Sequence, residues 1–189
     1  MQLLKERIIK DGRLLNGNIL KVDSFLNHQL DVELFNEIGK EFKKRFKDKN
    51  ITKILTVEVS GIAIACITAQ YFNVPVVFAK KHQGINMDSD SYESDVFSYT
   101  KKTAYKIKVA KRFIKPEDEI LIIDDFLASG SAVSGLIDII NQANAKIAGV
   151  GIVIEKSFQQ GRQIILEKGI QLESLAIIKA FENGQVVFE

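Results

Sequence analysis

Apolar residues recur at helical spacing in the first quarter of this chain, and from Ile51 onward they gather into short continuous runs. Leu4 and Ile8, followed by Gly12, predict a short N-terminal helix with a glycine stop. GNILKVDSF then reads as a short strand entering the polar loop SFLNHQ. Asp31 has the character of an N-cap, and after it Leu34, Phe35, Ile38, Phe42 and Phe46 fall three or four apart. The basic run KKRFKDK is expected on the outer face of that second helix, as solvated surface.

Beyond Ile51 the period changes. ITKILTVEV, VPVVFA, EILIIDD and KIAGVGIVIE read as buried strands, with SGIAIACITAQYF, SGSAVSGLIDIINQANA and GRQIILEKG as helices among them. ESLAIIKAF and VVFE close the chain around Asn183-Gly184, a hairpin turn signal. Near-continuous apolar strands separated by helices predict an α/β fold with a largely parallel sheet covered on both faces. One segment breaks the alternation. Residues 80–102 are polar and weakly periodic, and they precede the alternating strand TAYKIKVA. A long irregular connection of this kind predicts a mobile loop carried on a two-stranded flap.

A chain of 189 residues suffices for one sizeable core and is short for two domains. The 26 basic residues nearly balance the 24 acidic ones, so no excess charge points to nucleic acid or to an anionic membrane. Any bound anion must be held by a local site. Cys66 is the single cysteine, which excludes an intrachain disulfide and suits a reducing cytosol. Within GIAIACITA it is expected to be a buried, inert thiol. The N-terminus lacks an apolar signal core, and no run approaches the ~18 apolar residues of a membrane span. These features predict a soluble cytoplasmic protein.

The strongest chemical signal is ILIIDDFLASGSA, where an apolar strand ends in Asp124 and Asp125 and a turn of small residues opens a helix. The first N–H groups of a helix are unpaired and its dipole favours negative charge there, so small residues let a phosphate approach the backbone. Ser129 and Ser131 add hydroxyl donors. Two carboxylates beside such a turn would repel the phosphate; they suit neighbouring hydroxyls, a metal ion or a developing positive charge. The Asp-Asp pair alone fits a solvated helix start equally well. LIIDD also resembles the first strand of response-regulator receiver domains, but too little chain follows Asp125 for the rest of such a domain. The whole strand–turn–helix describes a sugar phosphate whose ribose faces the two aspartates.

An apolar strand, Asp-Asp, two residues and Ala-Ser-Gly is similar to the phosphoribosyl pyrophosphate (PRPP) motif of type I phosphoribosyltransferases. The commoner form has Thr before the Gly and a second Gly after it, where this chain has Ser129 and Ser131. LKVDSFLNHQ, VEVSGIA, VPVVFAKK and GVGIVIEKSFQQGR extend the resemblance along essentially the whole chain to the bacterial xanthine phosphoribosyltransferases. That resemblance implies one domain spanning 1–189, with a doubly wound, mostly parallel core over about 31–160. It also implies a small hood built from about 1–30 and the C-terminal segment, and a homodimer.

The resemblance further implies that Ala128, Ser129, Gly130, Ser131 and Ala132 wrap the 5′-phosphate, and that Leu20, Asn27 and Lys156 contact the purine. Ser60-Gly61 would bind pyrophosphate through backbone N–H groups, and Lys80 and Lys81 would neutralise it. Xanthine has oxo groups at positions 2 and 6. Donors such as Lys156 and the Asn27 amide match them, while Leu20 can pack on the flat ring. No protein-held metal is expected; Mg2+ would arrive with the pyrophosphate. Hypoxanthine or guanine, which keep the 6-oxo group, are the alternative substrates, and adenine would leave Lys156 without its acceptor. A PRPP-sensing regulator without turnover is the alternative of another class. It would need a DNA-binding extension, and the N-terminus offers one short helix with no basic excess.

Overall fold

A computed structural model of the chain describes residues 1–81, 90–98 and 103–189. Leu4 and Ile8 are buried on helix α1 (Gln2–Asp11), which ends at Gly12 as its apolar spacing requires. Strands β1 (Arg13–Leu15) and β2 (Ile19–Lys21) pair antiparallel, and a single π-helical turn follows at Asp23–Asn27. Only β2 was expected, because three mostly exposed residues carry no period-2 pattern. Helix α2 (Val32–Arg45) is capped by Asp31, whose Oδ1 accepts the Leu34 N–H at 3.1 Å. Its apolar stripe Leu34, Phe35, Ile38 and Phe42 is buried, as is Phe46 just beyond it. Lys43 and Lys44 are exposed as expected. Arg45 is half-buried instead, reaching Glu41 at 2.8 Å and Glu173 at 3.2 Å.

The alternating half follows: β3 (Lys53–Val57), α3 (Gly61–Phe72), β4 (Val76–Ala79), β5 (Ser91–Ser98), β6 (Thr103–Ala110) and β7 (Glu119–Leu127). After it come α4 (Ser131–Gln142), β8 (Lys146–Lys156), α5 (Gly161–Leu166), β9 (Leu172–Glu182) and β10 (Gln185–Phe188). The main sheet has the order β10-β9-β8-β7-β3-β4, parallel throughout except between β10 and β9. The chain winds outward from β3 to β4, returns to the other side of β3 as β7, and then winds the opposite way. This doubly wound topology puts a switch point between β3 and β7, where such sheets open a ligand crevice.

Side chains of β7 alternate between the two faces. Leu121 and Ile123 join the core under α1, α2 and α3, whereas Ile120 and Ile122 join the one under α4. Burial on both faces is why the strand reads as an unbroken apolar run. Asn183 and Gly184, both with positive φ, make the turn between β9 and β10. No helix among the described residues is long and apolar enough to cross a membrane.

The expected two-stranded flap is present, and one expectation elsewhere needs correction. Residues 91–98, within the segment read as polar and weakly periodic, pair with β6 from Ser91↔Ala110 to Ser98↔Thr103. The signal was weak because Glu93 and Asp95 are offset not by apolar neighbours but by Lys106 and Lys108 across the ladder. The expectation of a mobile loop at 82–89 and 99–102 lies outside the described residues. Cys66 is exposed, not buried. Helix α3 is apolar almost all round, so its composition does not say which face turns inward; Ile64, Ala65, Thr68 and Ala69 do, leaving Cys66 and Gln70 outside.

Candidate active site

Strand β3 keeps its ladder with β7 only as far as Leu55↔Ile122, while β7 stays paired with β8 to Leu127↔Glu155. The sheet therefore parts at its C-terminal edge, at the switch point, and Asp124 and Asp125 stand in the opening. Asp124 is only 5% exposed. The Asp125 N–H donates to Asp124 Oδ1 at 3.0 Å, and the Phe126 N–H donates to Asp125 Oδ1 at 3.0 Å. Asn27, from the turn after β2, also hydrogen-bonds the Asp125 carboxylate.

Burial pushes the Asp124 carboxyl well above its ordinary range, the Asp125 charge adds to this, and Lys81 opposes it. Burial raises Asp125 as well, against hydrogen bonds that lower it. Two adjacent carboxyls in a low-dielectric crevice favour a neutralising partner: donated hydroxyls, a cation, or positive charge developing nearby. Among the described residues no three His, Cys, Asp or Glu side chains gather as a metal site. The pair fits a Mg2+ ion that brings most of its oxygen ligands as phosphate and water.

The turn after β7 is built to take an anion. Gly130 has φ +84°, a left-handed conformation that L side chains resist, and it lets the chain enter α4 directly. The Ser134 N–H donates to Gly130 O at 2.8 Å as a first helical bond, so N–H groups before it in α4 lack helical acceptors. The Ser129 and Ser131 hydroxyls lie 3.1 Å apart. Ala128, Ser129, Gly130, Ser131 and Ala132 line a cavity of about 380 Å³ that Lys156 and Gln159 also line. Phe97 and Tyr105, from the β5–β6 ribbon, lie along the same cavity.

Lys156, the last residue of β8, is half-buried with Nζ 5.6 Å from the Phe181 ring centre. Phe181 in turn meets Phe158 edge-on at 5.7 Å. Burial lowers the Lys156 pKa, and among the described residues no carboxylate forms an ion pair with it. An uncompensated, half-buried cation on a cavity wall is costly unless an acceptor comes to it.

Leu20 and Asn27 line a different cavity, of about 560 Å³, together with Ser60. The three residues expected at the purine thus sit on two hollows, with Asp125 linked to the second through Asn27. Ser60 precedes α3 without making a capping bond. Gly61 allows the start of α3 to press against β3: a Cβ there would meet Thr56 Oγ1 at 2.0 Å and Asp124 Oδ1 at 3.3 Å. Lys80 and Lys81 diverge. Lys81 bears on Asp124 electrostatically, with Nζ 5.4 Å from the Tyr105 ring centre and its N–H bonded to Glu58. Lys80 lies over Phe78, at 6.0 Å, and its backbone pairs with Lys108.

Sequence reasoning did not single out Phe97, Tyr105, Phe126, Gln159 or Phe181. Tyr105 carried a usable signal, since it alternates in phase with the buried Ile107 and Val109. The others belong to elements whose positions over the cavity depend on the assembled fold.

The phosphoribosyl transferase domain family matches residues 22–184. The chain is 64% identical over its full length to the xanthine phosphoribosyltransferase of Clostridium novyi, all of which is covered. It is 68% identical, again with both chains fully covered, to that of Clostridium tetani. In fold it is similar to the adenine phosphoribosyltransferase of Saccharomyces cerevisiae, with a TM-score of 0.75 at 16% identity, over 93% of this chain and 99% of that one. The chain belongs to the phosphoribosyl transferase domain family and, within it, to the bacterial xanthine phosphoribosyltransferases.

Proposed function

We propose that this protein transfers the 5-phosphoribosyl group of PRPP to N9 of xanthine, yielding xanthosine 5′-monophosphate and pyrophosphate, as a cytoplasmic purine-salvage enzyme. One observation carries the reading. Asp124 is buried and Asp125 half-buried at the switch point, one residue pair away from a turn that offers helix N–H groups and two hydroxyls. A phosphate seated on residues 128–132 would bring its ribose to those carboxyls.

The C1–pyrophosphate bond breaks as the C1–N9 bond forms, the purine gives up its imidazole N–H proton to water, and the ribose ring passes through an oxocarbenium-like state. Asp124 and Asp125 accept hydrogen bonds from the ribose hydroxyls and stabilise the positive ring electrostatically. Lys81 and the N–H groups at Ser60 and Gly61 take up charge on the departing pyrophosphate, with Lys80 farther out. Mg2+ arriving with the pyrophosphate would add to that neutralisation, and Asp124 and Asp125 are the carboxylates that could help hold it. Leu20 and Asn27 contribute from the hood. Lys156 donates to a purine oxo group, which satisfies its own buried charge and leaves a base without that oxo group at a disadvantage. Hypoxanthine and guanine are expected as poorer substrates, and adenine as the poorest.

Product formation from PRPP and Mg2+ with xanthine, guanine, hypoxanthine and adenine side by side tests this. The expected result is the highest kcat/KM with xanthine. Preference for adenine, or binding of PRPP with no turnover on any purine, would overturn it.

The protein is expected to work as a homodimer. The outer face of α3 supports this, with Cys66 exposed and Ile62 and Ile67 partly so, near the exposed Val59 and Phe78. An apolar face of this kind gains by being covered. Light scattering should give twice the 21.2 kDa chain mass. A monomer at assay concentration would refute the dimer.

A further inference from the structure

Glu155, one residue before Lys156, has no exposed surface, and none of the chemistry above uses it. Arg162 grips it with both arms of its fork: Nε donates to Oε1 at 2.5 Å and Nη2 to Oε2 at 2.7 Å. The Ser174 hydroxyl donates to Oε2 from β9. A buried carboxylate held this completely is a rigid anchor. Its position matters because Glu155 lies opposite Leu127, the last residue of β7 before the phosphate turn.

Next to Arg162 is Gly161, and it touches that turn backbone to backbone. The Gly161 N–H donates to Ala128 O at 3.0 Å. A Cβ on Gly161 would come within 2.6 Å of the same oxygen, and one on Gly130 within 2.9 Å of Gly161 Cα. No side chain separates the two segments. In a trans peptide the carbonyl and the following N–H point in opposite directions. Holding Ala128 O against Gly161 therefore turns the Ser129 N–H away from α5, to the side where a phosphate would sit. Leu127, Glu155, Arg162, Gly161 and Ala128 close a small ring of strand pairing, ion pair and backbone hydrogen bond.

We infer that Arg162 is a positioning residue: clamped on Glu155, it holds Gly161 against the phosphate turn and so fixes the donors that bind the 5′-phosphate. This rests on the transferase reading above. Arg162→Met would strand a buried carboxylate and is expected to destabilise the fold. The informative variants are Gly161→Ala, Arg162→Lys and the charge-free pair Glu155→Gln/Arg162→Gln.

In Gly161→Ala and the double variant, the PRPP KM is expected to rise about ten- to hundredfold, with kcat and the xanthine KM changed by less than about threefold. Arg162→Lys keeps the charge beside Glu155 without the two-armed grip, and should leave the PRPP KM closer to the parental value than the double variant does. Thermal melts identify the variants that fold. Folded Gly161→Ala and double variants with a parental PRPP KM would overturn the clamp, as would equal rises in both KM values. A parent chain that makes no xanthosine 5′-monophosphate would instead sink the transferase reading.

Discussion

Asp125→Asn is expected to fold like the parent and to lose turnover by about two to three powers of ten, the usual scale for removing one electrostatic contact to a charged transition state. The reason lies in where the carboxylate is and what surrounds it. It is half-buried, it receives the Phe126 N–H and an Asn27 hydrogen bond, and among the described residues it forms no ion pair. An Asn side chain keeps the shape and an acceptor oxygen. It cannot supply the negative charge that a positive ribose ring calls for.

Folding should respond in the opposite sense. Burial raises both aspartates, so in the folded chain each resists ionisation. A carboxyl with a raised folded pKa contributes stability below its unfolded value, near 3.9, and loses it as pH rises through the folded pKa. The parent should therefore lose thermal stability relative to Asp124→Asn and Asp125→Asn as pH rises above about 4. Steady-state kinetics and melts across that range check both halves. Near-parental turnover in Asp125→Asn would remove the dyad from the mechanism, and a stability gap that shrinks with pH would contradict the raised pKa values.

Lys156→Met should lower kcat/KM for xanthine by about one to two powers of ten, since a charge-assisted hydrogen bond is worth roughly 1.5–3 kcal/mol and ~1.4 kcal/mol is tenfold. Met keeps the apolar stem beside Phe181 and deletes the ammonium. Lys156 also lines the cavity of the phosphate turn, so the measurement must separate two roles. If it reads the base, the PRPP KM stays near its parental value, and adenine use, where measurable, suffers least. If it serves the phosphate, the PRPP KM rises with every purine alike. Unchanged xanthine turnover would mean that the base is read elsewhere, and the pocket beside β8 would have to move.

These residues differ in how far they could be found from the chain alone. Asp124, Asp125 and the turn at 128–132 are contiguous, and their chemistry follows from one local event, a strand ending in acids and passing through small residues into a helix. The apolar stripes of α1 and α2 and the Asp31 cap of α2 are equally local, because apolar spacing and a capping Asp act within a few turns. The unbroken apolar runs of β3, β7 and β8 likewise announce a sheet covered on both faces, since a one-sided strand would alternate.

Other features depended on the assembled fold. Cys66 reads as buried within its apolar run yet is exposed, because α3 is apolar almost all round and only its neighbours choose the inner face. Adjacent lysines at 80 and 81 read as a pair, yet beyond the end of β4 they diverge, and of the two only Lys81 bears on Asp124. Leu20 and Asn27 are separated from Lys156 by more than 120 residues, and their division between two cavities is a product of topology. Glu155 and Arg162 looked like ordinary charges at a strand end. Their meeting, and the contact of Gly161 with Ala128 beside it, required β7, β8 and α5 to be in place. Local sequence determined which residue types stand at the ends of strands and helices, because backbone periodicity and capping act over short range. The tertiary structure decided which of them face one another, because that depends on the order of strands in the sheet and on which face of each element its neighbours cover.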